Sequence, residues 1–139
     1  MDTHTKEQRS YNMSRIKSKD TKPEIEFRKF LWSKGLRGYR LHSKLRGKPD
    51  LYFGRLKIAV FIDGCFWHKC PVCFKKPKSN KKYWNQKITR NIERDMENDV
   101  FLESNNINVL RFWGHEIKND INNCFNKLNK LIKKNAKNN

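Results

Sequence analysis

LKIAVFIDGCFWHKCPVCF, residues 56–74, is the stretch around which the chain is organised. It opens on an apolar run, residues 58–62, too short to span a membrane and rich enough in β-branched side chains to form a buried strand. The run stops at Asp63-Gly64. Cys65, Cys70 and Cys73 follow in a C-x4-C-x2-C spacing, with Phe66, Trp67 and His68 between the first two. A strand that delivers a carboxylate, a glycine, two aromatics, a histidine and three thiols to one edge marks a site.

Upstream, residues 46–50 (RGKPD) make a turn into a second strand, residues 51–53, and Gly54-Arg55 returns the chain to the first. Asp50 then starts one strand while Asp63 ends its antiparallel neighbour, so hairpin pairing brings both to the same end of a sheet. Pro49 suits a strand entry, where no ladder donor is lost. Residues 37–41 alternate polar and apolar, as a further strand would. Before them, Thr21-Lys22-Pro23-Glu24 reads as a helix start, with Thr21 as N-cap, Pro23 in the first turn and Glu24 at the capping-box position. That helix is expected to run to about residue 34, stop at Gly35 and bury Phe27, Phe30 and Leu31.

Downstream, residues 77–82 form a basic loop. Residues 83 to about 104 read as a long helix, with Trp84, Ile88, Ile92, Met96 and Val100 at i, i+4 spacing as its apolar face. Lys87, Arg90, Arg94 and Asp95 lie on the other face. Asn105-Asn106 turns the chain into an apolar strand, residues 107–113. Strand, helix and strand in succession make a right-handed crossover with parallel strands, which carries Gly114-His115 to the edge holding Asp63 and the cysteines. A last helix over about residues 118–133 places Ile121, Phe125, Leu128 and Ile132 together, and a basic polar tail follows. The expectation is one α/β domain over residues 21–139, with an α-β-β-β-α-β core and a mixed sheet flanked by helices.

The chain has 139 residues and a formal charge of +18, from 32 Lys and Arg against 14 Asp and Glu. Charge of that size points to a polyanionic partner, and nucleic acid is the commonest one. A solvated lysine-rich face is the bland alternative. No stretch approaches the roughly 18 apolar residues of a membrane span. A polar N-terminus without an apolar h-region suggests a cytoplasmic protein with reduced thiols, so close-spaced cysteines point to metal rather than disulfides. Residues 1–20 carry Arg9, Arg15, Lys17 and Lys19 around Tyr11, Met13 and Ile16. They read equally well as a frayed terminus or as an arm along a phosphate backbone, with Met13 as an apolar wedge.

Three cysteines supply three soft ligands, and a closed tetrahedral zinc site needs a fourth. Cys124 falls among core positions of the last helix, and His68 would crowd Cys70. His115 reaches the same edge through the crossover. The expected structural zinc site is therefore Cys65, Cys70, Cys73 and His115. The carboxylates Glu24, Asp50 and Asp63 each have a surface or capping explanation alone. Together, on a helix and two paired strands, they suit Mg²⁺ and a phosphodiester-cleaving enzyme. Phe66 and Trp67 fit either core anchoring or intercalation, and His68 is placed for general acid/base work.

These motifs resemble the very-short-patch-repair (Vsr) mismatch endonucleases of the PD-(D/E)xK nuclease superfamily. The resemblance rests, in order, on RSYNMSRIKSKDTKPE, GKPDLYF, VFIDGCFWHKCP, YWNQKITRNIERD and VLRFW, and covers about residues 9–113. It implies a restriction-endonuclease-like core and a Mg²⁺-dependent enzyme that nicks duplex DNA 5′ of the thymine in a T:G mismatch left by 5-methylcytosine deamination. Asp50 would be the principal metal ligand, Glu24 would position metal-bound water, and His68 would be the catalytic histidine. Met13, Phe66 and Trp67 would be the intercalating wedge, and the four zinc ligands would be those the spacing gives. Arg9, Arg15, Lys17, Trp84, Lys87 and Arg94 are the further expected DNA contacts. Mismatch-repair proteins and a cytosine-5 methyltransferase are implied as partners, with a monomer as the default state. Two departures stand out. The superfamily lysine falls at Cys65, and Ile62-Asp63 replaces a Thr-His found in some members. Asp63 is thus open to three roles: second metal carboxylate, proton acceptor or structural residue. A zinc-stabilised DNA-binding module, or a structure-selective nuclease without T:G preference, is the alternative reading.

Overall fold

The computed structural model describes residues 21–65, 70–71, 75–76 and 78–137. In chain order the elements are α1 (Lys22–Ser33), β1 (Arg40–Leu41), β2 (Leu51–Phe53), β3 (Ile58–Asp63), α2 (Lys81–Ser104), β4 (Asn108–Trp113), α3 (Gly114–Asn119) and α4 (Ile121–Lys137). The four strands form one sheet in the order β1-β2-β3-β4. β1–β2 and β2–β3 are antiparallel, and β3–β4 is parallel. This is the mixed, helix-flanked α/β sheet the sequence suggests. Among the described residues no helix is long and apolar enough to cross a membrane.

β3 is the central strand, and all six of its residues are buried. Its alternation serves two layers. Ile58, Val60 and Ile62 join Phe27, Leu31, Leu51, Phe53, Phe112, Ile117, Cys124 and Leu128 in one apolar cluster, beneath α1, α3 and α4. Ala59 and Phe61 face the other way, into a smaller cluster with Leu102 of α2 and Ile107. Phe27 and Phe112 meet edge to face at 5.6 Å between ring centroids, and Phe30 meets Phe125 likewise, so α1 is fixed to both β4 and α4.

α1 ends where expected. Gly35, at φ +78°, turns the chain out of the helix while the Leu36 N–H donates to the Leu31 carbonyl at 3.0 Å. Its beginning differs, because Thr21 makes no side-chain cap bond and Glu24 is buried against the sheet edge. β1 is two residues rather than five. The last helix is two: α3 begins directly after β4, and Asp120 separates it from α4.

The long helix needs the largest correction. Its buried residues are Ile88, Asn98 and Leu102, whereas Met96 and Val100 are 64% and 68% exposed. A strict i, i+4 row advances by about 40° each step, so five such positions wind roughly 160° around the helix and leave the sheet. The face that stays against the sheet mixes i+3 and i+4 steps and carries Asn91, Asp95, Asn98 and Asp99. It is polar.

Candidate active site and metal centre

The β2–β3 hairpin places Asp50 next to the end of β3. Its Oδ2 accepts a 2.6 Å hydrogen bond from the Ile62 N–H. Glu24, in the first turn of α1 and 5% exposed, comes within hydrogen-bonding reach of the Asp50 carboxyl. Two carboxyl groups bond to each other only through a shared proton. Burial pushes Asp50 up to about 7; the Ile62 N–H works against that shift, and the charges of Glu24 and Asp63 add to it. Two buried carboxyl groups in contact are a pair of hard oxygen donors that a divalent cation suits.

Asp63 is buried, and its charge reaches Asp50. Its Oδ1, however, accepts from Arg111 Nη1 at 2.8 Å. Among the described residues, Cys65, Cys70 and His115 are the only three or more such side chains whose ligand atoms all lie within 4.8 Å of one another. Glu24, Asp50 and Asp63 are not such a group. Of the three carboxylates the sequence singles out, Glu24 and Asp50 touch, while Asp63 is bonded to Arg111.

Arg111 is the residue the sequence reading passed over. β4 pairs with β3 in parallel, Phe61 opposite Arg111 and Asp63 opposite Trp113, so Arg111 stands on the α2 side of the sheet. Its guanidinium lies 4.1 Å from the Phe61 ring centroid. Nε donates to both Asp99 oxygens at 3.0–3.1 Å, and Nη2 donates to Asp99 Oδ1 at 2.7 Å and lies 3.9 Å from Asp95. Burial alone would favour losing the proton, but the Asp99 hydrogen bonds and the charges of Asp63, Asp99 and Asp95 outweigh it, so the arginine is held charged more firmly than usual. An arginine inside the otherwise apolar VLRFW was the available signal, because a buried charge needs partners.

The second cluster stands at the same edge. The Cys70 N–H donates to the Cys65 carbonyl at 2.8 Å, closing the loop so that both thiols meet His115. His115 Nδ1 lies 3.5 Å from Cys65 Sγ and 3.4 Å from Cys70 Sγ. A tetrahedral zinc with ordinary Zn–S and Zn–N bonds sets its S and N ligands roughly 3.5 Å apart, so these three side chains fit that ion. α3 delivers His115: Glu116 Oε1 accepts from the Trp113 N–H at 2.9 Å, and a side chain at Gly114 would meet Pro23 of α1 at 3.4 Å. Cys124 is buried in the main core with its thiol pushed up to about 11, first of all by burial. It is a small hydrophobe there.

Trp84 and Lys87 sit on the first half of α2, and Arg94 just past its middle. Trp84 packs edge to face on Tyr83, and Lys87 Nζ lies 5.8 Å from the Tyr83 ring centroid. Arg94 is exposed. Arg9, Met13, Arg15, Lys17, Phe66, Trp67, His68 and Cys73 lie outside the described residues.

The profile of the family described as "DNA mismatch endonuclease Vsr" matches residues 1–73. A type II nicking enzyme of Neisseria meningitidis serogroup A, V.NmeAIP, is 42% identical over 134 residues, covering 95% of this chain and 94% of its own. Another, V.HpaIIP of Haemophilus parainfluenzae, is 44% identical over 84% of this chain and 85% of its own. The DNA mismatch endonuclease Vsr of Escherichia coli is 34% identical over 81% of this chain and 72% of its own. The class defined in this way is that of DNA endonucleases. Within it, the chain belongs to the DNA mismatch endonuclease Vsr family.

Proposed function

We propose that this protein is a Mg²⁺-dependent endonuclease that nicks duplex DNA 5′ of the thymine in a T:G mismatch and so starts very short patch repair. The observation that carries the reading is the buried Glu24–Asp50 pair, with Asp50 raised to about 7 at the sheet edge of a strongly basic chain. Asp50 would hold Mg²⁺ there, and that ion would supply positive charge to polarise the scissile phosphodiester. Asp50 is the principal ligand, and the Ile62 N–H fixes the carboxylate's direction. Glu24 orients the attacking water. His68 exchanges a proton with the attacking water or the leaving oxygen. Asp63 contributes charge beside Asp50 rather than a shared ligand position.

Met13, Phe66 and Trp67 open the base step at the mismatch, at a few kcal/mol of unstacking. Residues 1–20 act as a basic arm through Arg9, Arg15 and Lys17. Trp84, Lys87 and Arg94 line the DNA side of α2. Cys65, Cys70, Cys73 and His115 hold a structural zinc whose shell is closed, so it takes no part in the chemistry. The fold, in this reading, is a restriction-endonuclease-like core acting as a monomer in the cytoplasm. Mismatch-repair proteins and a cytosine-5 methyltransferase are its functional neighbours.

The test is a labelled duplex with one T:G mismatch in varied flanks, set against T:A, with Mg²⁺ or EDTA. A Mg²⁺-dependent nick immediately 5′ of the mismatched thymine supports the proposal. Equal nicking of T:A would make it a nuclease without mismatch preference. Tight binding with no nick in any flank would reduce it to a binding module.

A further inference from the structure

We infer that Arg111 is a positioning residue for nicking, holding Asp63 aside from the Glu24–Asp50 pair by anchoring it to Asp99 of α2. The inference rests on the reading of that pair as the metal-binding centre. Ile62 and Asp63 both act on Asp50, one through its N–H and the other through its charge. Whatever fixes Asp63 therefore fixes part of the surroundings of the reacting ion. Every guanidinium nitrogen of Arg111 faces a carboxylate: Nη1 faces Asp63, while Nε and Nη2 face Asp99. The Phe61 ring supports the guanidinium on its face, so it cannot tilt freely.

General fold stabilisation does not require this arrangement, because an apolar side chain of like volume could fill this partly buried position. What the fork adds is direction. One end grips the last residue of β3, and the other grips a helix that otherwise meets this sheet face through few apolar residues. Without Arg111, Asp63 loses the bond from Nη1 and with it the link to Asp99.

The test is a double-mutant cycle on single-turnover nicking of a T:G duplex. The chains are wild type, Arg111→Met, Asp63→Asn and the pair together. Thermal midpoint and zinc content are measured on each. Arg111→Met should lower the single-turnover nicking rate by about 10–100-fold, as loss of an orienting partner usually does, with the half-saturating concentration of DNA little changed. In the Asp63→Asn background the same substitution should cost less than about threefold, because the charge that Arg111 directs is already gone. Multiplicative losses would mean that Arg111 does not act through Asp63, and the inference would fall. If Arg111→Met does not fold, Asp99→Asn replaces it in the cycle under the same criterion. Asp50→Ala runs alongside: full nicking by that chain would overturn the metal-centre reading itself, whereas a dead Asp50→Ala with a multiplicative cycle overturns only the inference.

Discussion

Asp50 is held between two states by its surroundings. In the folded protein it releases its proton near pH 7, whereas in the unfolded chain it does so near pH 4. Between those values the folded state binds more protons, so the free energy of unfolding falls as pH rises. The penalty is absent below about pH 4 and complete above about pH 7. In chelator, Asp50→Asn should therefore raise the thermal midpoint at pH 8, and the gain should shrink steadily toward pH 5. A gain of the same size at both pH values would contradict the raised pKa. Mg²⁺ must displace the same proton, so the concentration giving half-maximal nicking should climb up to tenfold for each unit below pH 7. Asp50→Ala should abolish nicking while leaving zinc content unchanged.

At the scale of elements, α2 and the β4–α3 corner set the site's geometry in different ways. α2 lies on the sheet through Leu102 and a polar strip, so truncations along it should differ sharply in cost. Leu102→Ala, at a fully buried position, should lose about 2–5 kcal/mol, and Met96→Ser, on the exposed row, under about 0.5 kcal/mol. Urea unfolding of both chains measures this. The β4–α3 corner carries His115 to the thiols, so His115→Ala should release bound zinc and lower the thermal midpoint, as chelation of the wild-type protein should. The corner was readable in the sequence because a strand–helix–strand unit fixes where the second parallel strand ends. The face of α2 was not, because apolar letters at i, i+4 suggested a stripe that the helix's own winding carries off the sheet. Arg111 was visible as a letter, but its partners Asp63 and Asp99 lie 48 and 12 residues away, and pairing at those separations is set by tertiary contact.

Across the whole molecule, +18 on 139 residues makes DNA binding strongly salt-dependent. If six or more phosphates are neutralised, affinity for an unmismatched duplex should fall by at least about 1000-fold between 50 and 200 mM salt. A slope near zero would contradict a phosphate-dominated interface. Composition made this partner legible at once, and the motifs placed Glu24, Asp50, Asp63 and the cysteines at one edge. Patterning also foretold the central strand, since residues 58–62 are apolar on both parities and so are buried on both faces. What it could not weigh was the imbalance between those faces. One side of β3 is sealed by a large apolar cluster that binds α1, α3 and α4 into a single body, and the other is closed by four buried apolar residues and an ion-paired helix. Such a molecule should open in two steps. In native-state hydrogen exchange the amides of α2 should be released at lower free energy than those of β3, α1 and α4, and faster in high salt, so the helix that holds Asp63 in place would be the first part of the nuclease to let go.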